Sequence, residues 1–208
     1  MEISPPAVLI LAAIGGYLLG SIPFGLLLTR TAGLGDIRNI GSGNIGATNV
    51  LRTGRRDIAA ATLLLDGGKA AAALLLARWI AGPEVGFVAG AAAFIGHCFP
   101  IWLDFKGGKG VAAFFGALFA GLWPVGLIAG VAWLAIATIF RYSSLAALVA
   151  AAVAPVAAWL MNEGGAWGVA FCTLLAVLIY ARHRPNIERL VKGEEPKIGV
   201  KKASEPSQ

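Results

Sequence analysis

Charge is scarce in this chain. Only 13% of its 208 residues are Asp, Glu, Lys or Arg, and 58% are hydrophobic. Soluble domains carry about 25% charged residues, so a water-facing globular domain is excluded. Cysteine and histidine are scarcer still, with two of each. Cys98 and Cys172 both lie in apolar surroundings and read as packing thiols rather than a disulfide or metal pair. His97 and His183 are too far apart in sequence to suggest a metal cluster. The opening Met1-Glu2-Ile3-Ser4 lacks the basic flank of a secretory signal, and no small-residue cleavage site clearly follows the first apolar run.

In place of charge there are long apolar runs, over residues 7–28, 58–80, 85–99, 111–122, 124–140, 145–161 and 166–181. A spanning helix needs about 20 apolar residues. The expectation is an all-α integral membrane protein of seven transmembrane helices. A break at Gly121-Leu122-Trp123-Pro124 sets the count. With it, fifteen of the seventeen Lys and Arg residues fall on one side, and Glu2, Glu84 and Glu163 fall on the other with Arg78. Basic loops stay cytoplasmic, which places the N-terminus outside and the C-terminus inside. The net charge of +6 therefore reads as topology rather than nucleic-acid binding. Residues 1–195 form one domain, and 196–208 read as a disordered cytoplasmic tail whose Lys197, Lys201 and Lys202 suit anionic lipid.

Three polar segments share the basic side. The first, 33–56, offers Asn44 as an N-cap for a short helix ending at Gly54. Asn44, Thr48 and Arg52 then stand four apart on one face, an amide, a hydroxyl and a guanidinium suited to an oxygen-rich anion. The second is Phe105-Lys106-Gly107-Gly108-Lys109-Gly110. Its glycines are free to turn successive amides toward an anion, and a helix starting at Gly110 adds donors and a favourable dipole. It is not a Walker A loop, because Leu103 replaces the first glycine and Gly110 the final Ser or Thr. The runs beside it are short: Pro100 limits the one before it near Phe99, and the one after it has about twelve residues, which reach only about 18 Å, so the loop is expected in a pocket recessed below the membrane surface. The third segment opens Arg182-His183-Arg184-Pro185-Asn186, with Pro185 in the first turn of a new helix and His183 the best general base by type. Inside the second run Asp66 and Lys69 read as an i, i+3 structural pair, and Ser21, Pro23 and Gly25 mark a kink in the first.

In combination these segments resemble the PlsY family of acyl-phosphate–glycerol-3-phosphate acyltransferases. The resemblance rests on Gly20-Ser21-Ile22-Pro23-Phe24-Gly25, Arg38 with Gly41-Ser42-Gly43-Asn44-Ile45-Gly46-Ala47-Thr48-Asn49, Asp66 to Lys69, Gly96-His97 through Gly110, and His183-Arg184-Pro185-Asn186-Ile187. It implies a seven-helix membrane enzyme of the bacterial cytoplasmic membrane. The implied reaction moves a fatty acyl group from acyl phosphate to the 1-hydroxyl of glycerol 3-phosphate, the first acylation in phospholipid synthesis. By position, Ser42, Asn44, Thr48 and Arg52 would line the site with Arg38 in support. Gly107, Gly108, Lys109 and Gly110 would hold phosphate beside Lys106, Ser144 beside Arg141 would join that clamp, and His183 and Asn186 would sit near the reacting groups. Glu195 matches a family acid read as structural. No metal or nucleotide cofactor and no obligate protein partner is implied.

Two other readings compete. An acyl-CoA-dependent transferase should carry His-x4-Asp, but His97 to Asp104 has the wrong spacing and His183 to Glu188 the wrong acid. A secondary transporter of phosphate or organic anions also uses broken helices and glycine-rich anion sites. Here no two halves resemble each other, and the polar motifs fall on one side.

Overall fold

The computed structural model describes residues 5–199. The described chain forms ten α-helices: α1 (Pro6–Gly20), α2 (Phe24–Thr31), α3 (Ala47–Val50), α4 (Arg56–Ala81), α5 (Pro83–Cys98), α6 (Val111–Gly121), α7 (Trp123–Phe140), α8 (Ser143–Leu160), α9 (Gly165–Arg182) and α10 (Arg184–Val191). Six stretches are long and apolar enough to cross a membrane, with α1 and α2 counted together, and α6 is a shorter apolar helix. The expected break after Gly121 is present: Leu122 leaves the helical region (φ −143°) and Pro124 sits in the first turn of α7. Residues 200–208, with Lys201 and Lys202, lie outside the described residues.

Helix α1 packs along α5, α4 lies against both α5 and α6, and α7, α8 and α9 follow as neighbours. With no hydrophobic drive between helices in lipid, close approach of small residues supplies the packing. Gly16 and Gly20 stand four apart on α1, where a Cβ would overlap the carbonyls of Ala89 and Ala93. This Gly-x-x-x-Gly seam is a helix-pairing signal that the sequence reading overlooks. A second near-contact joins Gly116 of α6 to the backbone of Gly67 in α4. The core between the crossings is filled by Leu74, Phe94, Phe114, Leu118, Leu175 and Ile179, all fully buried.

The kink in the first run divides α1 from α2 at Ser21-Ile22-Pro23. A carbonyl freed inside lipid must find a donor. Lys69 Nζ donates to Ile22 O at 2.7 Å while lying 2.8 Å from Asp66 Oδ1. The expected Asp66–Lys69 pair is present and buried, and its lysine also staples the kink.

Arg182 at the end of α9 reaches the loop that follows α5, and Ser144 at the start of α8 reaches Glu195, so the second and third polar segments gather at one end of the bundle. Arg78, Glu84 and Glu163 line a pocket of about 240 Å³ elsewhere, against Leu122 and Trp167. Helix α6 has eleven residues, about 16 Å at 1.5 Å each, against a hydrocarbon core of about 30 Å.

Candidate active site

The first polar segment is organised by a residue the sequence reading passes over. Asn49 is buried, and its Nδ2 donates to the carbonyls of Ile37, Ile40 and Asn44 at 2.8–3.0 Å. Its Oδ1 accepts from the Ser42 amide at 3.0 Å and from Arg52 Nη1 at 3.3 Å. One side-chain amide therefore folds residues 37–52 into a knot. Gly41 (φ 56°) lies so near that a Cβ would collide with Asn49 Oδ1. The expected helix from Asn44 is corrected. Asn44 Oδ1 takes the Gly46 amide at 2.9 Å in a local turn, and α3 begins only at Ala47. A 3₁₀ turn, Leu51–Thr53, follows and ends on left-handed Gly54, the expected stop. Asn44, Thr48 and Arg52 consequently do not share one helical face. Ser42, Thr48 and Arg52 are exposed. Arg38 forks onto Asp36 at 2.6–3.2 Å, and this hydrogen bonding holds the Asp36 carboxyl well below the usual range. Its guanidinium is bound there, with the Asp104 carboxylate also acting on it.

The glycine loop also differs from expectation. The amides of Lys106, Gly107 and Gly108 do not converge on an open point. They donate to the carbonyls of Leu103, Cys98 and His97 at 2.9, 3.2 and 3.0 Å. The Gly107 and Gly108 carbonyls accept from Arg182 Nη2 and Nε at 2.8 and 3.1 Å, while that guanidinium packs 5.1 Å from the Phe99 ring centre. Arg182 clamps the loop from the end of α9, 74 residues away in sequence. What remains for an anion is the Lys109 ammonium and the start of α6, where Gly110 (φ 85°) is the cap. A helix N-terminus attracts negative charge. Lys106 is exposed.

Lys109 opens a chain of polar contacts. Its Nζ donates to Asn186 Oδ1 at 2.6 Å, and Asn186 Nδ2 donates to Glu195 Oε1 at 2.7 Å. Ser144 Oγ reaches the same oxygen at 2.7 Å, and Arg189 Nε reaches Glu195 Oε2 at 2.7 Å. Burial pushes the Glu195 carboxyl up, but these hydrogen bonds outweigh it and hold it below its ordinary value. Glu195 is thus a carboxylate hub that fixes Asn186 and Ser144 in place, the structural acid expected at that position. Burial, reinforced by Arg189, Arg52 and Arg182 against the opposing Glu195, lowers Lys109 to about 8. A desolvated ammonium among cations binds a dianion strongly, since bulk water no longer competes.

His183 joins the end of α9 to α10 and is buried. Its Nδ1 lies 2.8 Å from the Ile179 carbonyl, so that nitrogen donates and Nε2 keeps the lone pair. Burial, with help from Lys109 and Arg182, drives the imidazole down to about 4. It is neutral through the physiological range and a weak proton acceptor. Arg141 is turned elsewhere: its Nη2 donates to Ile198 O at 2.9 Å, and its own carbonyl accepts from the Ile198 amide at 2.7 Å. Arg141 therefore also tethers Ile198 to the start of α8.

Lys109, Ser144, His183 and Asn186 come together around Glu195, with Arg52 close enough to act on Lys109. Asn49 and Arg182 stand in the polar segments without an expected role, and Arg189 has none either. A protein-family model described as glycerol-3-phosphate acyltransferase matches residues 10–193. Glycerol-3-phosphate acyltransferase of Maricaulis maris is 63% identical over 196 residues, covering 92% of this chain and 88% of that protein. The protein of the same description from Caulobacter vibrioides is 59% identical over 197 residues, covering 94% and 90%. The crystal structure of PlsY (YgiH), an integral membrane glycerol 3-phosphate acyltransferase, in its glycerol 3-phosphate form superposes with a TM-score of 0.87 at 36% identity, covering 92% of this chain and 96% of that one. Its lysophosphatidic acid form gives a TM-score of 0.85 at 35% identity, covering 92% and 95%.

Proposed function

The chain belongs to the glycerol-3-phosphate acyltransferase family, and on that footing we propose that it draws the acyl group from acyl phosphate, giving lysophosphatidic acid and inorganic phosphate. It is a multi-pass membrane protein. In our reading it sits in the bacterial cytoplasmic membrane with seven crossings, α6 being the short one, and with the N-terminus outside. The observation that carries the donor assignment is the Lys109 ammonium, half-buried beside Asn186 at the start of α6 and backed by Arg52, Arg182 and Arg189. Such a pocket takes small phosphate dianions, and both proposed substrates present one.

The chemistry asks little more of the protein. Acyl phosphate is an activated mixed anhydride. The 1-hydroxyl oxygen attacks the acyl carbon, the bond from that carbon to the phosphate oxygen breaks, and inorganic phosphate departs with the electron pair. Lys109, the α6 amides and Ser144 orient the phosphates, and they offset charge on the oxyanion and leaving group. The hydroxyl proton passes to a phosphate oxygen of glycerol 3-phosphate, which enters with that hydroxyl. Nε2 of His183, at about 4, is a poorer acceptor than a phosphate dianion with a second pKa near 6. His183 then serves to position substrate.

Purified enzyme given glycerol 3-phosphate with acyl phosphate, or with acyl-CoA, tests the donor. Lysophosphatidate formed with release of inorganic phosphate supports the proposal, and turnover with acyl-CoA alone overturns it. His183→Gln is expected to retain kcat within about tenfold, below the 10²–10⁴-fold contribution of a general base. A larger loss in kcat with unchanged KM makes the imidazole the base. A pH profile gives a further expectation. Phosphate capture needs protonated Lys109, whose value in the free enzyme is about 8. Above that pH the ammonium is lost, so kcat/KM falls as pH rises through about 8. A profile flat to pH 10 removes Lys109 from substrate capture.

A further inference from the structure

Beneath the glycine loop lies a buried group that the proposed chemistry does not use. His97, near the end of α5, is only 3% exposed. Its Nδ1 faces Asp66 Oδ1 at 3.5 Å, and neither atom completes an aligned hydrogen bond in the structure. Its carbonyl accepts the Gly108 amide at 3.0 Å. The Nε2 edge of the ring faces Gly108, where a Cβ would run into Nε2, Cε1 and Cδ2. The neighbouring Gly107 is equally confined by the carbonyls of His97 and Cys98 and by Pro100.

The loop is thus held from two directions. Arg182 pulls on its carbonyls from α9, while His97 supports its α-carbon from below. Asp66 explains why the support is a histidine. A carboxylate paired with Lys69 at 2.8 Å stands 3.5 Å from Nδ1, which favours the proton on that nitrogen and draws that edge of the ring toward α4. We propose that His97, oriented by Asp66, is a positioning residue that sets the height of the glycine loop, and so the aim of Lys109 and the first α6 amides at phosphate. This rests on the reading of the loop as the phosphate site. With Lys109 immediately after Gly108, a shift of about 1 Å in the loop carries over to the ammonium, and errors of that size are costly in a preorganised site.

Two measurements on the full-length membrane enzyme test this, with inorganic phosphate as the probe. In His97→Asn, which keeps a donor near Asp66 but removes the ring body, the inhibition constant of inorganic phosphate should rise about tenfold, with kcat at saturating substrate within about threefold. Phosphate should also lose its power to raise the unfolding temperature. Lys109→Gln is the control: if it leaves phosphate binding intact, the reading of the site fails, and with it this inference. If Lys109→Gln weakens phosphate but His97→Asn does not, the positioning role alone is overturned. The second measurement uses steric coupling. Gly108→Ala should reduce kcat/KM about 100-fold in the native background, yet cost less than about threefold more when added to His97→Ala, because the added methyl then has room. Independent, multiplicative losses overturn the proposal. Loss of any unfolding transition in both His97 variants assigns the residue to the fold and overturns it as well.

Discussion

Replacing Lys109 with alanine is expected to lower kcat/KM by about 10²–10³-fold, the usual cost of removing one preorganised donor from a site where charge develops. Three features enlarge the effect. The ammonium is desolvated, so its attraction for a dianion is weakly screened. It is held by Asn186 at 2.6 Å, so no reorganisation is needed when substrate arrives. The neighbouring loop amides are committed to Leu103, Cys98 and His97 and do not replace it. Lys109→Arg should recover only part of the loss, because a planar fork does not fit the space of a point charge against Asn186. The measurement is steady-state kinetics with each substrate varied in turn. An alanine variant within threefold of native activity shifts phosphate binding to other cations.

Gly116→Ala is expected to be among the most damaging single methyls outside the site. The new Cβ would overlap the carbonyl of Gly67, and backbone on both sides of the crossing leaves nothing flexible to move aside. Overpacking costs about 1–3 kcal/mol and occasionally more. At about 2–4 °C per kcal/mol for a chain of this size, the midpoint of thermal unfolding should fall by about 2–12 °C. Activity should fall further than stability, since α6 carries Gly110 and Lys109 at its N-terminal end and displacing it moves both. Gly68→Ala is the matched control. Nothing lies within 4 Å of its Cβ position, so it should be neutral or slightly stabilising, as helical Gly→Ala changes are. Differential scanning in detergent separates the two variants.

The parts of this architecture visible in the sequence are those written locally. Apolar runs mark the membrane helices, Leu122 and Pro124 mark the break, and Gly54 and Gly110 mark a helix end and a helix start. Lys109, His183 and Asn186 with their polar neighbours mark the proposed site. The hidden parts depend on partners far along the chain or on backbone atoms, which no side-chain pattern records. Arg182 binds carbonyls of glycines 74 and 75 positions away. Asn49 works by satisfying main-chain groups of an irregular segment, which no periodicity announces. The expected helix at Asn44 failed because the Asn side chain can close a turn on the second amide after it, and here it does so on Gly46. The anion nest failed for a related reason. Free amides near membrane depth seek carbonyls first, and His97 and Cys98 supplied them.

Glu195 also has a consequence for how the enzyme is made. Its carboxylate ties Ser144, 51 residues earlier, to Asn186 and Arg189. A nascent chain can therefore insert every apolar helix and still lack a finished pocket, because the acid that fixes the geometry emerges after all of them. Competence arrives as a late step, separate from insertion. Between the two, the unfinished chain holds Lys109 without the framework that aims it.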